Sequence, residues 1–282
     1  MWKDSYAIGH ELIDSQHRRL FDYAENLMST LGQQLEFEEY KRQIVETLGF
    51  LKKYTIEHFK DEEEYQREVN YEGYEAHKKL HAKLIQDVLR HEKELVESEF
   101  KPEAVKSFLG FLLTWLVYHV AGEDQKITGG VAQTAVAGLD LVHAFAQKAG
   151  QVIRTITGIT EDEIKPEFDS SKHLGEGISF KVGLVGSKDK NGIALVYSHI
   201  IALGTLKAMT GMEVNEINEI AYSALQEMSN ILSAKMVDVV AKADGKFVDI
   251  DYPIRAEIKE IPKGSDSFLM CTSIGDMEII IY

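Results

Sequence analysis

The period of the apolar positions changes partway along the chain. In the first 127 residues apolar side chains recur at steps of three and four within four segments, roughly 14–32, 37–66, 70–98 and 101–126. That spacing predicts four amphipathic helices, punctuated by Gly32 and Pro102. In the second half the runs GISFKVGLVG, IALVYS, VDIDYP, RAEIKEI, SFLMCTSI and MEIIIY read as strands, and the turn-rich SKDKNG separates the first two. Helical stretches at 138–157, about 199–210 and about 216–243 interleave with them. The expected organisation is a helical domain over 1–127, a junction at 128–137 around Thr128-Gly129-Gly130, and a second domain over 138–282. The expected fold class is multidomain α and α/β. An antiparallel four-helix bundle is followed by an α/β domain with a mainly antiparallel sheet and one long helix.

The helical stripes carry more than apolar residues. Ile13, His17, Leu20, Ala24 and Leu27 share one face, as do Leu51, Thr55, His58, Glu62 and Tyr65. The third stripe runs through His77, His81, Leu84, Val88, His91 and Leu95, and the fourth through Val105, Phe108, Leu112, Trp115 and His119. Residues four apart stack on one face of a helix. His17, His58, Glu62, His77, His81 and His119 are therefore expected in the bundle core. Within HFKDEEEYQ, Glu62 alone shares the inward stripe with His58; Asp61, Glu63 and Glu64 read as solvated. Asp124, five residues past His119, falls just off the inward face but within reach of the same centre. An unneutralised charge in a core costs several kcal/mol, so this cluster calls for a cation.

Five imidazoles and two carboxylates exceed one tetrahedral zinc. The donors suit iron, copper, nickel or zinc rather than calcium or magnesium. Two octahedral ions offer twelve positions: five histidines, two bridging carboxylates and one bridging oxygen leave a single position open. No Glu-x-x-His occurs in the chain, which separates it from the di-iron bundles built on that pair. His91 lies about 15 Å along the axis from His81, too far for the same centre. His10, His143, His173 and His199 show no metal spacing.

IDSQHRRL, HFKDEE, HKKLH and HVAGED resemble the hemerythrin family, in particular bacterial hemerythrin domains, over residues 1 to about 127. The family's His, His-x3-Glu, His-x3-His and His-x4-Asp set is matched by His17, His58 and Glu62, His77 and His81, and His119 and Asp124. The resemblance implies two non-haem iron ions with an oxo or hydroxo bridge, and reversible binding of O2 at one of them. Phe59 and Trp115, one residue after and one turn before ligands, are candidate walls of an apolar O2 pocket.

Composition narrows the partners. A net charge of −15 disfavours nucleic acid and an anionic membrane surface. No apolar run reads as a membrane span, and the N-terminal segment lacks a basic-then-apolar signal pattern. The single cysteine, Cys271, reads as a buried thiol in a strand and fits a reducing cytosol. A cytoplasmic protein is expected.

YSALQEMSNILSAK supplies the second motif. Ser223, Glu227 and Asn230 lie off the apolar stripe of their helix, on what reads as an exposed face. With Pro253, which follows Asn230 after twenty-two intervening residues, they resemble the signature of the CheC/CheX/FliY chemotaxis phosphatases. The occurrence of one Glu-x-x-Asn in the chain is similar to the CheX branch. The resemblance implies hydrolysis of the aspartyl phosphate of a CheY-like response regulator. Asn230 would orient water, Glu227 would pair with the regulator's lysine, and Mg2+ would sit only on the regulator. A homodimer through the second domain is expected. The reading is an oxygen sensor that regulates a phosphatase. Its rivals are O2 storage or delivery with a docking domain, and a di-iron oxidase or peroxidase.

Overall fold

A computed structural model describes residues 1–129, 140–169, 172–187, 190–213, 215–244, 248–261 and 266–282. It divides into two compact units, Met1–Gln133 and Thr134–Tyr282. Residues 130–137 of the expected junction lie outside the described residues, as do residues 138 and 139 at the expected start of the fifth helix.

The first unit is a four-helix bundle of α1 (Glu11–Leu31), α2 (Phe37–Glu68), α3 (Tyr74–Glu97) and α4 (Pro102–Tyr118). The entry to α1 is fixed by Asp14, whose carboxylate accepts from the backbone N–H of Ile8 (2.8 Å) and of Gly9 (3.0 Å). Pro102 opens α4, where its missing N–H costs nothing. The apolar stripes form the core: Ile13, Leu20, Ala24, Leu27, Ile44, Leu84, Leu95, Val105 and Phe108 are all buried.

α4 differs from the expectation in two ways. It is buried almost all round from Phe108 to Val117, so its sequence is apolar on every face. The stretch Pro102–Lys126 is consequently long and apolar enough to cross a membrane by length and composition, contrary to the sequence reading, but 72% of its most apolar window is buried within the protein. The α-helix also ends at Tyr118: His119–Glu123 forms a π turn and Asp124–Lys126 a 3-10 turn.

The second unit contains α5 (Leu141–Thr157), α6 (His199–Thr210) and α7 (Glu219–Asp244) with strands β1 (Ile164–Glu167), β2 (Ile178–Val185), β3 (Gly192–Tyr197), β4 (Asp249–Ile250), β5 (Ile254–Ala256), β6 (Asp266–Thr272) and β7 (Gly275–Ile281). Asp140 and Ser198 cap α5 and α6, and left-handed Gly158 and Gly211 end them. The strand order is β1-β6-β7-β3-β2-β4, with β5 also paired to β2, and every described pairing is antiparallel. The run RAEIKEI is only partly strand: after β5 the chain turns through a 3-10 segment at Ile258–Glu260. β1 was not expected, because IKPE is short, polar and contains proline.

β3 is buried at every position. Tyr197 on one of its faces meets α7 through Ser229 (2.8 Å), while Ala194 and Val196 on the other pack with Ile280 under Leu174, Ile258 and Tyr282. Cys271 is half-buried rather than buried.

His91 is 4% exposed against Phe108 and Phe111. Burial pushes its pKa from 6.5 down to about 3. The unfolded chain therefore binds the extra proton first, and stability falls as the pH drops below about 6.5 towards 3. The expected loss is about 2 kcal/mol between pH 6.5 and pH 5. Denaturant unfolding of His91→Leu at both pH values should show a shallower dependence than wild type by about that amount. An unchanged dependence would mean that His91 is protonated in the folded state.

Candidate functional site

All seven expected ligands converge inside the bundle, none more than 2% exposed. α1 brings His17, α2 His58 and Glu62, α3 His77 and His81, and the turn after α4 brings His119 and Asp124. Glu62 lies at the centre: its Oε1 is 2.9 Å from His77 Nε2, and its Oε2 is 3.3 Å from His58 Nε2 and 3.5 Å from His81 Nε2. Asp124 spans the same two sides, with Oδ2 3.2 Å from His17 Nε2 and Oδ1 3.0 Å from His119 Nε2 and 3.2 Å from His77 Nε2.

The π turn makes this possible. In an α-helix a residue five positions on points about 140° away. The wider i→i+5 turn at His119–Glu123 returns Asp124 to the side of His119. Asp124 is therefore on the inward face, not just off it.

The donors fall into two groups, Glu62 with His77, His81 and His119, and Glu62 with His17 and His58, with the ligand atoms of each group within 4.8 Å of one another. Burial pushes His119 down to about 3 and His58 down as well. Burial also opposes charge on Glu62 and Asp124. Imidazoles at hydrogen-bond distance nevertheless hold both below the usual carboxylate range. His77 is likewise pulled down by burial, but its contacts with Asp124 and Glu62 outweigh this and raise it to about 10. Both nitrogens of His17, both oxygens of Asp124 and Oε2 of Glu62 are buried without a well-aligned hydrogen bond among the described residues. Orphaned donors of this type around a common centre fit cations better than any internal pairing.

A sheath of side chains surrounds the ligands. Phe59 lies flat on His81 (centroids 3.7 Å, 6°) and Trp115 on His119 (4.2 Å, 16°). Trp115 also lines an apolar cavity of about 120 Å³ with Leu20, Leu51, Leu84, Leu112 and Leu116. Gln66 Nε2 donates to Glu62 Oε1 at 2.6 Å. The sequence reading missed Gln66, although its i,i+4 spacing from Glu62 was a signal. It also read Asp61 and Glu63 as solvated. Asp61 instead accepts from Gln16 (2.6 Å) and Glu63 lies 3.1 Å from His81 Nδ1, contacts that need α1 and α3 in place.

A family model described as the hemerythrin HHE cation binding domain matches residues 8–129. The bacteriohemerythrin of Stenotrophomonas maltophilia is 30% identical over 127 residues, 44% of this chain and 76% of that protein. The chain belongs to the hemerythrin family. The bacteriohemerythrin of Clostridium acetobutylicum is 27% identical over 126 residues, 45% of this chain and 96% of that protein. The hemerythrin match thus accounts for the first unit. For the second half, a crystal structure of a CheX–CheY–BeF3–Mg2+ complex from Borrelia burgdorferi is 24% identical, covering 50% of this chain and 96% of that one at a TM-score of 0.41. The chemotaxis protein CheX from Vibrio vulnificus is 18% identical, covering 51% and 100% at 0.41.

The second motif is buried, not exposed as its sequence suggested: Ser223 is 3%, Glu227 2% and Asn230 3% exposed. α7 packs on α5 and α6 as well as on β2 and β4, so a polar face in its sequence is still a covered face. Asn230 Nδ2 donates to Glu227 Oε2 at 3.2 Å. Pro253 is buried, and its carbonyl accepts from Gln226 at 2.7 Å. Ser223 Oγ has no hydrogen-bond partner among the described residues.

Because Glu62 belongs to both donor groups, Glu62→Ala should abolish tight metal binding at both positions. His17→Ala should spare the three-histidine position, and the remote His91→Ala should leave the metal content unchanged. Elemental analysis should read close to none, about one and about two ions per chain, against about two in wild type. Two ions retained by Glu62→Ala would rule out the shared carboxylate.

Proposed function

We propose that the hemerythrin domain holds two iron ions and binds O2, and that its state regulates a second domain which dephosphorylates a CheY-like response regulator. The unequal division of histidines carries the oxygen-binding half. One position has three and the other two, with Glu62 and Asp124 reaching both sides. The two-histidine position is therefore one protein ligand short. Held by the five histidines with Glu62 and Asp124, a pair of ferrous ions would supply reversible electron donation to a small diatomic ligand. The protein supplies the surroundings: Leu20, three residues after His17 on the same helix face, lines the apolar cavity together with Trp115. Its lining is mainly leucine and isoleucine, which suits a small apolar molecule.

The Asn230–Glu227 contact supports the phosphatase half. Aspartyl phosphates are labile, so a catalyst acts mainly by positioning water in line. Asn230 would hold that water through its carboxamide, and Glu227 would pair with the regulator's lysine. The phosphorus–oxygen bond to the aspartyl carboxylate breaks as one to water forms, releasing inorganic phosphate and the free carboxylate. The burial of Glu227 and Asn230 favours a second reading, in which this domain docks a partner without catalysis. Asn230→Ala separates the two. Loss of a preorganised polar group should slow phosphate release from a phosphorylated regulator on the order of a hundredfold. Unchanged release would leave only docking.

Regulation is tested by comparing phosphate release by the reduced protein, the reduced protein with O2 and the oxidised protein. A coupling of about 1–3 kcal/mol changes rate or partner affinity several-fold or more. Identical rates and identical partner binding in all three would end the sensor reading and leave O2 storage or delivery.

A further inference from the structure

The nitrogens of the ligand histidines that face away from the centre are not treated alike. His81 Nδ1 lies 3.1 Å from Glu63 Oε1, a carboxylate whose side chain is 17% exposed. His58 Nδ1 lies 3.2 Å from Gln16 Oε1, and Gln16 Nε2 donates to Asp61 Oδ2 at 2.6 Å. Nδ1 of His17 and of His77 has no hydrogen-bond partner among the described residues. In both partnered rings Nε2 faces the cluster of carboxylates and imidazoles. Each outer contact therefore fixes the ring as the Nδ1–H tautomer with the Nε2 lone pair directed inward.

The two outer partners differ in charge, and they serve different positions. Glu63 holds a ligand of the three-histidine group, and Gln16 holds a ligand of the two-histidine group. A carboxylate acceptor forms a charge-assisted bond and makes the imidazole a stronger donor than a neutral amide does. We propose that Glu63 and the Gln16–Asp61 pair are positioning residues that make the two metal positions electronically unequal, so that the three-histidine position favours the more highly charged ion. Glu62 belongs to both donor groups. Its chain neighbours contact the two donor groups from outside, Asp61 through Gln16 and His58, and Glu63 through His81.

This rests on the di-iron reading, and the experiment separates the two. Full-length, iron-loaded protein is titrated electrochemically alongside Glu63→Gln, Glu63→Leu and the exposed neighbour Glu64→Gln. Glu63→Gln keeps a hydrogen-bond acceptor and loses the charge. It should retain two irons but lose about tenfold in its preference for ferric over ferrous ion, which raises the first-oxidised couple by about 59 mV. Glu63→Leu should lose metal affinity by about 10–100-fold, and Glu64→Gln should match wild type. Gln16→Leu should lose iron chiefly from the two-histidine position. If Glu63→Gln titrates at the wild-type potential while Glu63→Leu alone loses metal, Glu63 merely orients the ring and the electronic role is overturned. Wild-type protein that takes up other than two irons removes the di-iron reading itself, before any variant is compared.

Discussion

The hemerythrin unit depends on one buried carboxylate that belongs to two places at once. Glu62 is fully buried and within 3.5 Å of three imidazoles on two helices. Desolvating a carboxylate costs several kcal/mol unless charge and hydrogen bonds repay it. The repayment sets the geometry around it. His58 must stand one turn before it on α2, α3 must present His77 and His81 to it, and Gln66 must donate to it from the turn after. Asp124 faces the same demand, and the chain meets it by widening one helical turn. Irregular backbone of that kind persists where the surroundings fix it.

The second unit is organised by a different constraint. β3 is covered on both faces, so it has no polar face to offer and reads as an unbroken apolar run. α7 crosses the helical side of the same sheet and is covered by α5 and α6 as well. Its polar residues are therefore retained inside a packed layer: Ser229 serves Tyr197 and Leu225, and Asn230 serves Glu227. Buried polar groups must be satisfied locally, and contacts three or four residues apart along one helix are the shortest way to do it.

What the sequence revealed follows from the range of each signal. Helical periodicity is local, so the four bundle helices and the inward placing of His17, His58, Glu62, His77, His81 and His119 could be read directly. Strand runs were legible where they were apolar, as in β2, β3, β6 and β7. The π turn was not, because HVAGED has no composition that distinguishes it from ordinary helix. The roles of Asp61 and Glu63 were not, because their partners Gln16 and His81 sit on other helices. The burial of Ser223, Glu227 and Asn230 was misread for a related reason. An apolar stripe tells which face of a helix packs first, but it does not tell whether a second layer covers the opposite face.

The burial of these side chains bears on how the motif helix would act under the phosphatase reading. A catalyst that positions water for a partner's phosphate needs its carboxamide and carboxylate uncovered, and here they are held against each other at 3.2 Å. Uncovering them breaks an internal hydrogen bond whose net worth is about 1 kcal/mol. Docking would replace it with two others, one between Asn230 and the water and one in which the partner's ammonium donates to Glu227, the second of them charge-assisted. Under that reading such a motif would stay covered until a cation of the right reach arrived. Selectivity for the partner would then lie less in the two side chains than in the surface that brings the ammonium to them.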